Sequence, residues 1–172
     1  MNFNQIDELI DQWWDQWRGH PTLDKLFYAS SNLGDFSLIW HIVGGLAALP
    51  PGKKANQALR FSALMGVESL IVNQLIKRQF NRSRPGSAHD NVSKYQLREP
   101  ITSSFPSGHA SAAFCAATVL ARQTRIGNIW FVPAAFISMS RVHVRLHHAS
   151  DLAGGALIGS ILGKLTHRFI GK

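Results

Sequence analysis

The chain alternates apolar stretches of helical length with short polar, basic joins. The sharpest pattern lies in residues 4–18. There Ile6, Leu9, Ile10, Trp13, Trp14 and Trp17 recur at i, i+3, i+4, i+7, i+8 and i+11, which predicts an amphipathic helix. Asn4 reads as its N-cap and Gly19-His20-Pro21 as its stop. Tryptophans on one stripe suit a membrane–water interface. The polar face is acidic (Asp7, Glu8, Asp11, Asp15), whereas helices that bind membrane surfaces usually carry Lys and Arg there. The helix is therefore expected to pack on the rest of the protein at the lipid boundary. A second short helix is expected from about Thr22 to Ser30.

Five apolar stretches follow, at 33–49, 61–76, 107–121, 127–140 and 151–168. Their length and their Ala, Leu, Ile and Gly content predict helices. None reaches the ~18 uninterrupted apolar residues that by themselves indicate a membrane span. His41, Glu68, Asn73 and Lys164 interrupt them. They nevertheless lack a clean polar face, and Gly155, Gly159 and Gly163 at i, i+4 and i+8 form a small-residue face suited to close helix packing in a membrane. The expected fold is an all-α helical bundle, integral to the membrane, with about five spanning helices plus the N-terminal amphipathic interfacial helix. Residues 1–32 form the N-terminal segment and 33–172 the membrane domain. A soluble helical bundle is the competing reading.

Pro50-Pro51-Gly52-Lys53-Lys54 and Arg122 to Gly127 break the helices, and Lys77 to Ser104 is the longest loop. Long loops within compact proteins are usually functional or disordered. Composition sharpens this picture. Only 16% of the 172 residues are charged, below the roughly 25% of soluble domains. The net charge of +8 suits nucleic acid, an anionic membrane or phosphorylated substrates without choosing among them. The single Cys115 rules out an internal disulfide framework. The acidic N-terminus does not read as a secretory signal, so the first spanning helix would direct insertion.

Candidate chemistry gathers in three segments that alternating spans would place on one side. The first is Lys77 to Pro85, a basic run in which Lys77 and Arg84 flank a helix end; a juxtamembrane patch touching lipid headgroups is the alternative. The second is Pro106-Ser107-Gly108-His109, where Pro106 suits a first helical position. Free N–H groups at the helix start and the Ser107 hydroxyl could hold an anion, and Gly108 allows close backbone approach. The third is Ser140 to Asp151. His147 and Asp151 are i, i+4, and an aspartate on one imidazole nitrogen leaves the other as nucleophile or base. His143, His147 and Asp151 also have metal-ligand spacing, but Arg141 and Arg145 would repel a bound cation. His143 and His148 read as incidental to the chemistry. Cations, helix-start donors and two histidines are the inventory for a phosphoryl group, with no carboxylate cluster to hold Mg²⁺.

The three segments together, Lys77-x6-Arg84-Pro85, Pro106-Ser107-Gly108-His109 and Ser140-Arg141-x5-His147-x3-Asp151, resemble the signature of the type 2 phosphatidic acid phosphatase family, in order and at its internal spacings. The resemblance covers residues 77 to 151. It implies that His147 attacks phosphorus to form a phosphohistidine, that Asp151 orients His147, and that His109 protonates the leaving alkoxide and then activates water. It implies that Lys77, Arg84, Ser107, the Gly108 N–H and Arg141 hold the phosphoryl oxygens. It further implies a metal-independent, cofactor-free phosphatase acting on a lipid phosphate monoester or diphosphate, polyprenyl or glycerolipid, with six spanning helices typical of the membrane branch and the site on the non-cytoplasmic face. The short, apparently bacterial chain points to an inner membrane and to a polyprenyl carrier or polyprenyl-linked sugar phosphate. The partners are lipid and membrane, not nucleic acid.

Lys and Arg in the joins count eight on each side; without Lys77, Arg84 and Arg141 the opposite side leads eight to five and reads as cytoplasmic. Three alternatives compete: a soluble or broad-specificity acid phosphatase of the same superfamily, a vanadate-dependent haloperoxidase, and a non-catalytic protein binding anionic lipid through Arg78, Arg82, Lys94 and Arg98. Glu68 is expected either to pair with a basic group across helices or to face a polar cavity. Arg141 and His147, six residues apart, could not share a face of one continuous helix, so a break is expected within Val142 to Leu146.

Overall fold

A computed structural model describes residues 2–47, 54–88 and 101–170. The Pro50-Pro51-Gly52-Lys53 break and residues 89–100 of the long loop, with Lys94 and Arg98, lie outside the described residues. Seven α-helices and no strand occur among those described: α1 (Phe3–Asp15), α2 (Pro21–Leu33), α3 (Leu38–Ala47), α4 (Lys54–Leu70), α5 (Gly108–Gln123), α6 (Phe131–His143) and α7 (Ala149–Ile170). The all-α expectation holds.

Helix α5 is the axis of the bundle. Ten of its residues are buried, and most are small: Ala110, Ala112, Ala113, Ala116 and Ala117 among them. Small side chains let neighbours approach on several sides at once. Helix α7 packs most extensively against it, through the glycine stripe read from the sequence. A Cβ at Gly159 would overlap the Ser111 carbonyl, and one at Gly163 would lie 2.8 Å from the Thr118 Cβ. On the other side Trp40 of α3 and Phe61, Leu64 and Met65 of α4 complete the core with Ala134 and Ile137 of α6.

Helix α4 runs on without interruption through a π-helical turn, Ile71–Ile76, and a 3₁₀ turn, Lys77–Gln79. The resulting segment Asn56–Gln79 is the one stretch among the described residues with both the length and the hydropathy to cross a membrane. The other helices are shorter or diluted by the glycines and hydroxyls that pack them. Apolar stripes still face outward: Leu38, Ile42 and Leu46 on α3, and Leu157, Ile161 and Leu165 on α7, the last three 63%, 47% and 64% exposed. Large aliphatic side chains at i, i+4 and i+8 with nothing over them need an apolar surrounding or a partner.

The N-terminal helices depart from expectation in an informative way. The N-cap of α1 is Asn2, not Asn4, because Asn2 and Gln5 form a reciprocal capping box. The buried residues of α1 are Asp7 and Trp14, while Ile6, Leu9, Trp13 and Trp17 stay exposed. The helix thus docks by its acidic flank and Trp14 and leaves the rest of its apolar stripe largely outside. Partners for that flank come from the protein itself: Arg18 with Asp11 and Asp15, Arg82 with Asp7, and Arg145 with Asp15. Arg18 also donates to the backbone carbonyls of Val142 and His143, at 2.7 and 3.0 Å.

Candidate active site

The three motif segments meet at one end of the bundle. Ser107 caps α5: its Oγ accepts from the Ala110 N–H at 3.4 Å. Pro106, read from the sequence as the first helical residue, therefore lies just before the cap. The Ser107 N–H donates to the Asp151 carbonyl at 3.0 Å, which ties the start of α5 to the start of α7. Gly108 packs against Asn73: a Cβ there would sit 2.9 Å from the Asn73 Oδ1, and that side chain would have to shift.

The break expected between Arg141 and His147 is present. Helix α6 ends at His143, Val144 caps it, and Arg145 takes a left-handed φ of 55°. The N–H groups of Leu146 and His147 both donate to the Arg141 carbonyl, at 3.0 and 3.1 Å. One residue thereby aims its own guanidinium and holds the loop that presents His147. Asp151 lies in the first turn of α7, whereas His147 precedes that helix.

A cavity of about 160 Å³ opens among these segments. Lys77, Gly108, His109, Arg141 and His147 line it, together with Glu68 and Asn73 from the α4 segment. Lys77, Arg84, Ser107, Arg141, His147 and Asp151 are all buried. Arg84 stands beside His147: its Nη1 donates to the Leu146 carbonyl at 2.7 Å and lies 3.3 Å from His147 Nε2, and its Nη2 donates to the Thr102 carbonyl at 3.0 Å. A guanidinium can only donate, so Nε2 is the lone-pair nitrogen of His147 and Nδ1 carries the proton. That proton faces Asp151 Oδ2 across 3.6 Å, longer than a hydrogen bond. Burial is the main influence that pushes the His147 pKa down, to about 3; Asp151 opposes it, and the cations Arg141, Lys77 and Arg84 add to it.

Arg141 Nη1 donates to the Ser31 hydroxyl of α2. His109 Nε2 lies 3.0 Å from Asp35 Oδ1 but meets no acceptor in hydrogen-bonding geometry. Among the described residues, four buried side-chain polar atoms have no hydrogen-bond partner, and three belong to this cavity: His109 Nε2, Arg141 Nε and His147 Nδ1. Buried polar atoms without partners cost stability, and such atoms concentrate where a polar ligand can engage them.

Residues outside the motifs complete the site. Glu68 lines the cavity, one of the two roles foreseen for it, and its partner across helices is the Ser111 hydroxyl and not a basic group. Arg82, which the sequence offered only as a loop cation for anionic lipid, is committed inward: it donates to Asp151 Oδ1 and Asp7 Oδ2, each at 2.6 Å. Its position within the x6 spacer of the first segment was the available signal. His143 is structural. Its Nδ1 accepts from Trp14 Nε1 at 3.0 Å, its Nε2 meets Asp24 at 2.9 Å, and Phe27 stacks on the ring.

Comparison with known proteins identifies the family. Decaprenylphosphoryl-5-phosphoribose phosphatase of Mycobacterium tuberculosis is 29% identical over 136 residues, 78% of this chain and 73% of that protein. Undecaprenyl-diphosphatase BcrC of Bacillus subtilis is 27% identical over 67% of this chain and 60% of its own length. Among solved structures, Aquifex aeolicus LpxE superposes with a TM-score of 0.69 at 27% identity, over 92% of this chain and 93% of its own. The transmembrane PAP2-type phosphatidylglycerolphosphate phosphatase of Bacillus subtilis superposes with a TM-score of 0.70 at 23% identity, over 96% and 85%, and so supports the fold. The PAP2 superfamily pattern itself matches residues 57–172, which include every motif residue gathered around the cavity, and the chain belongs to the PAP2 superfamily.

Proposed function

We propose that the protein is a membrane phosphatase that hydrolyses a lipid phosphate through a phosphohistidine on His147, without a metal ion. The carrying observation is that His147, His109 and the cations Lys77 and Arg141 converge on one small cavity, with Nε2 as the lone-pair nitrogen of His147. In the first step Nε2 attacks phosphorus and the P–O bond to the lipid alcohol breaks, while His109 gives its proton to the departing alkoxide. In the second step His109 takes a proton from water, the resulting hydroxide attacks phosphorus, and the N–P bond breaks to release inorganic phosphate and free His147. Lys77, Arg84, Arg141, the Ser107 hydroxyl and the Gly108 N–H hold the non-bridging oxygens and offset charge that a divalent ion would otherwise neutralise. Asp151 orients His147.

The lipid assignment draws on the cavity's surroundings. Phe36, 80% exposed, lies on its wall, and Leu70 and Leu75 stand exposed on the neighbouring α4 segment, so an acyl or prenyl chain would meet apolar surface as its headgroup enters. The relatives named for decaprenyl and undecaprenyl substrates favour a polyprenyl phosphate, diphosphate or sugar phosphate over a glycerolipid. In this reading 33–172 forms the membrane domain with about five spans, the α1 stripe of Ile6, Leu9, Trp13 and Trp17 rests in the interface, and the site opens on the non-cytoplasmic face.

The test is phosphate release from a panel of polyprenyl and glycerolipid phosphates in detergent, with and without EDTA. Turnover should be unchanged in EDTA, and His147→Ala should lower kcat by on the order of a thousandfold or more. Full activity of that variant would refute the mechanism.

A further inference from the structure

We propose that Arg82 and Asp7 are positioning residues for Asp151, which makes the N-terminal helix a working part of the active site. The inference rests on the reading of His147 as nucleophile and Asp151 as its orienter.

The Asp151 carboxylate is fully buried and held at both oxygens. Oδ1 accepts from Arg82 Nη1 at 2.6 Å, and Oδ2 accepts from the His148 N–H at 2.8 Å. These two bonds set the plane of the carboxylate, and that plane turns Oδ2 toward His147 Nδ1. Arg82 is clamped in turn from the other side. Its Nη2 donates to Asp7 Oδ2 at 2.6 Å, and its Nη1 also reaches the Ser150 hydroxyl at 2.7 Å. Asp7 is fixed by the Ser150 N–H, which donates to Oδ1 at 2.8 Å, and by the Ser150 hydroxyl, 2.6 Å from Oδ2. Four residues from three separate segments thus form a closed network: Asp7 of α1, Arg82 of the loop after α4, and Ser150 and Asp151 of α7.

Docking of α1 does not require this arrangement. Trp14 on His143, Arg18 on the Val142 and His143 carbonyls, and Asp15 on Arg145 already attach the helix. A buried ion pair is in general a weak contributor to stability, because desolvation offsets its Coulombic gain. What this one adds is direction. The far end of the network is the carboxylate that faces the proposed nucleophile. Without the Arg82 guanidinium, Oδ1 loses its donor and the carboxylate can turn about its last side-chain bond. The Oδ2 face presented to Nδ1 is then no longer fixed, and neither is the aim of Nε2. Arg82 and Asp7 touch neither the reacting atoms nor the cavity lining, so substrate binding should be largely preserved.

The experiment compares kcat and KM of the full-length protein in detergent, on a water-dispersible short-chain lipid phosphate. The variants are Arg82→Gln, Arg82→Lys, Asp7→Asn, the double Asp7→Asn/Arg82→Gln, Asp15→Asn and His147→Ala. Positioning predicts a fall in kcat of about tenfold or more for Arg82→Gln with KM within about twofold, partial recovery in Arg82→Lys, and a smaller fall for Asp7→Asn that adds little in the double variant. Asp15→Asn removes two comparably close ion pairs on the same helix, with Arg18 and Arg145, and should leave kcat within about twofold. Wild-type kcat in Arg82→Gln would overturn the inference, as would an Asp15→Asn loss equal to that of Asp7→Asn, which would mean that helix docking alone matters. If Arg82→Gln does not fold, Arg82→Lys and Asp7→Asn carry the comparison. An inactive His147→Ala beside a fully active Arg82→Gln defeats this inference alone, whereas an active His147→Ala defeats the reading of the site beneath it.

Discussion

His147 combines three properties that rarely coincide on one imidazole. It is buried, its Nε2 faces a guanidinium that can only donate, and its Nδ1 faces a carboxylate. The proposed role as nucleophile needs an unprotonated nitrogen, and a pKa pushed down to about 3 keeps the ring neutral throughout the neutral range. The sign of a perturbation follows. Burial and the three cations disfavour the imidazolium, so removing a cation raises the pKa and protonation then silences Nε2 at higher pH. Arg84→Gln should therefore move the acid limb of the kcat/KM profile upward, beyond whatever it does to the plateau. The comparison is of wild type and variant on the same substrate, so that ionisation of the phosphate cancels. An acid limb that stays in place would mean that Arg84 does not control this histidine. On the acidic flank of α1 the same logic runs in reverse. Asp7 is held below the usual carboxylate range: burial opposes ionisation, but bonds from Ser150 and Arg82 outweigh it.

At the scale of elements, the site depends on how closely α5 and α7 approach, because one contributes Ser107, Gly108 and His109 and the other Asp151. The Gly159 stripe sets that distance. Gly159→Ala places a methyl against the Ser111 carbonyl, a backbone atom that cannot swing aside, so the helices must part. Overpacking of this kind typically costs about 1–3 kcal/mol. A lowered melting temperature in detergent, together with reduced activity, is the expected result. Gly66→Ala on α4 is the control, since a Cβ there meets nothing within 4 Å and alanine favours a helix interior by about 0.5–1 kcal/mol. Equal effects of the two substitutions would show that the glycine stripe has no special role. Much at this scale was legible in the sequence: helix positions from apolar runs, the glycine face from its spacing, and the break after α6 from the impossibility of seating Arg141 and His147 on one helical face. Other features were not. The acidic face of α1 looked anomalous because its partners lie far along the chain, Arg82 being 75 residues from Asp7. Periodicity within a helix records which face is polar and not which distant cation will meet it. Nor does it reveal the left-handed residues Phe36, Ser37 and Arg145, a conformation that side chains other than glycine's disfavour.

For the whole molecule, the number of spans is where sequence reading was weakest. Among the described residues, hydropathy registers one long apolar helix, Asn56–Gln79, because polar residues at helix ends and small residues at helix contacts dilute the others. The outward stripe Leu157, Ile161 and Leu165 predicts that the protein stays with membranes after alkaline carbonate washing and enters solution only with detergent. Recovery in the soluble fraction would instead favour the soluble phosphatase. Family membership, the cavity and the three converging segments then leave one question that decides the chemistry: whether phosphorus passes through His147 or is attacked by water directly. The stereochemical course at phosphorus answers it, using a lipid thiophosphate made chiral there by sulfur and two oxygen isotopes and hydrolysed in water carrying the third, so that the thiophosphate released is itself chiral. Two in-line displacements, onto His147 Nε2 and then onto water, predict net retention of configuration. Net inversion would mean a single direct attack by water and would contradict the phosphohistidine mechanism.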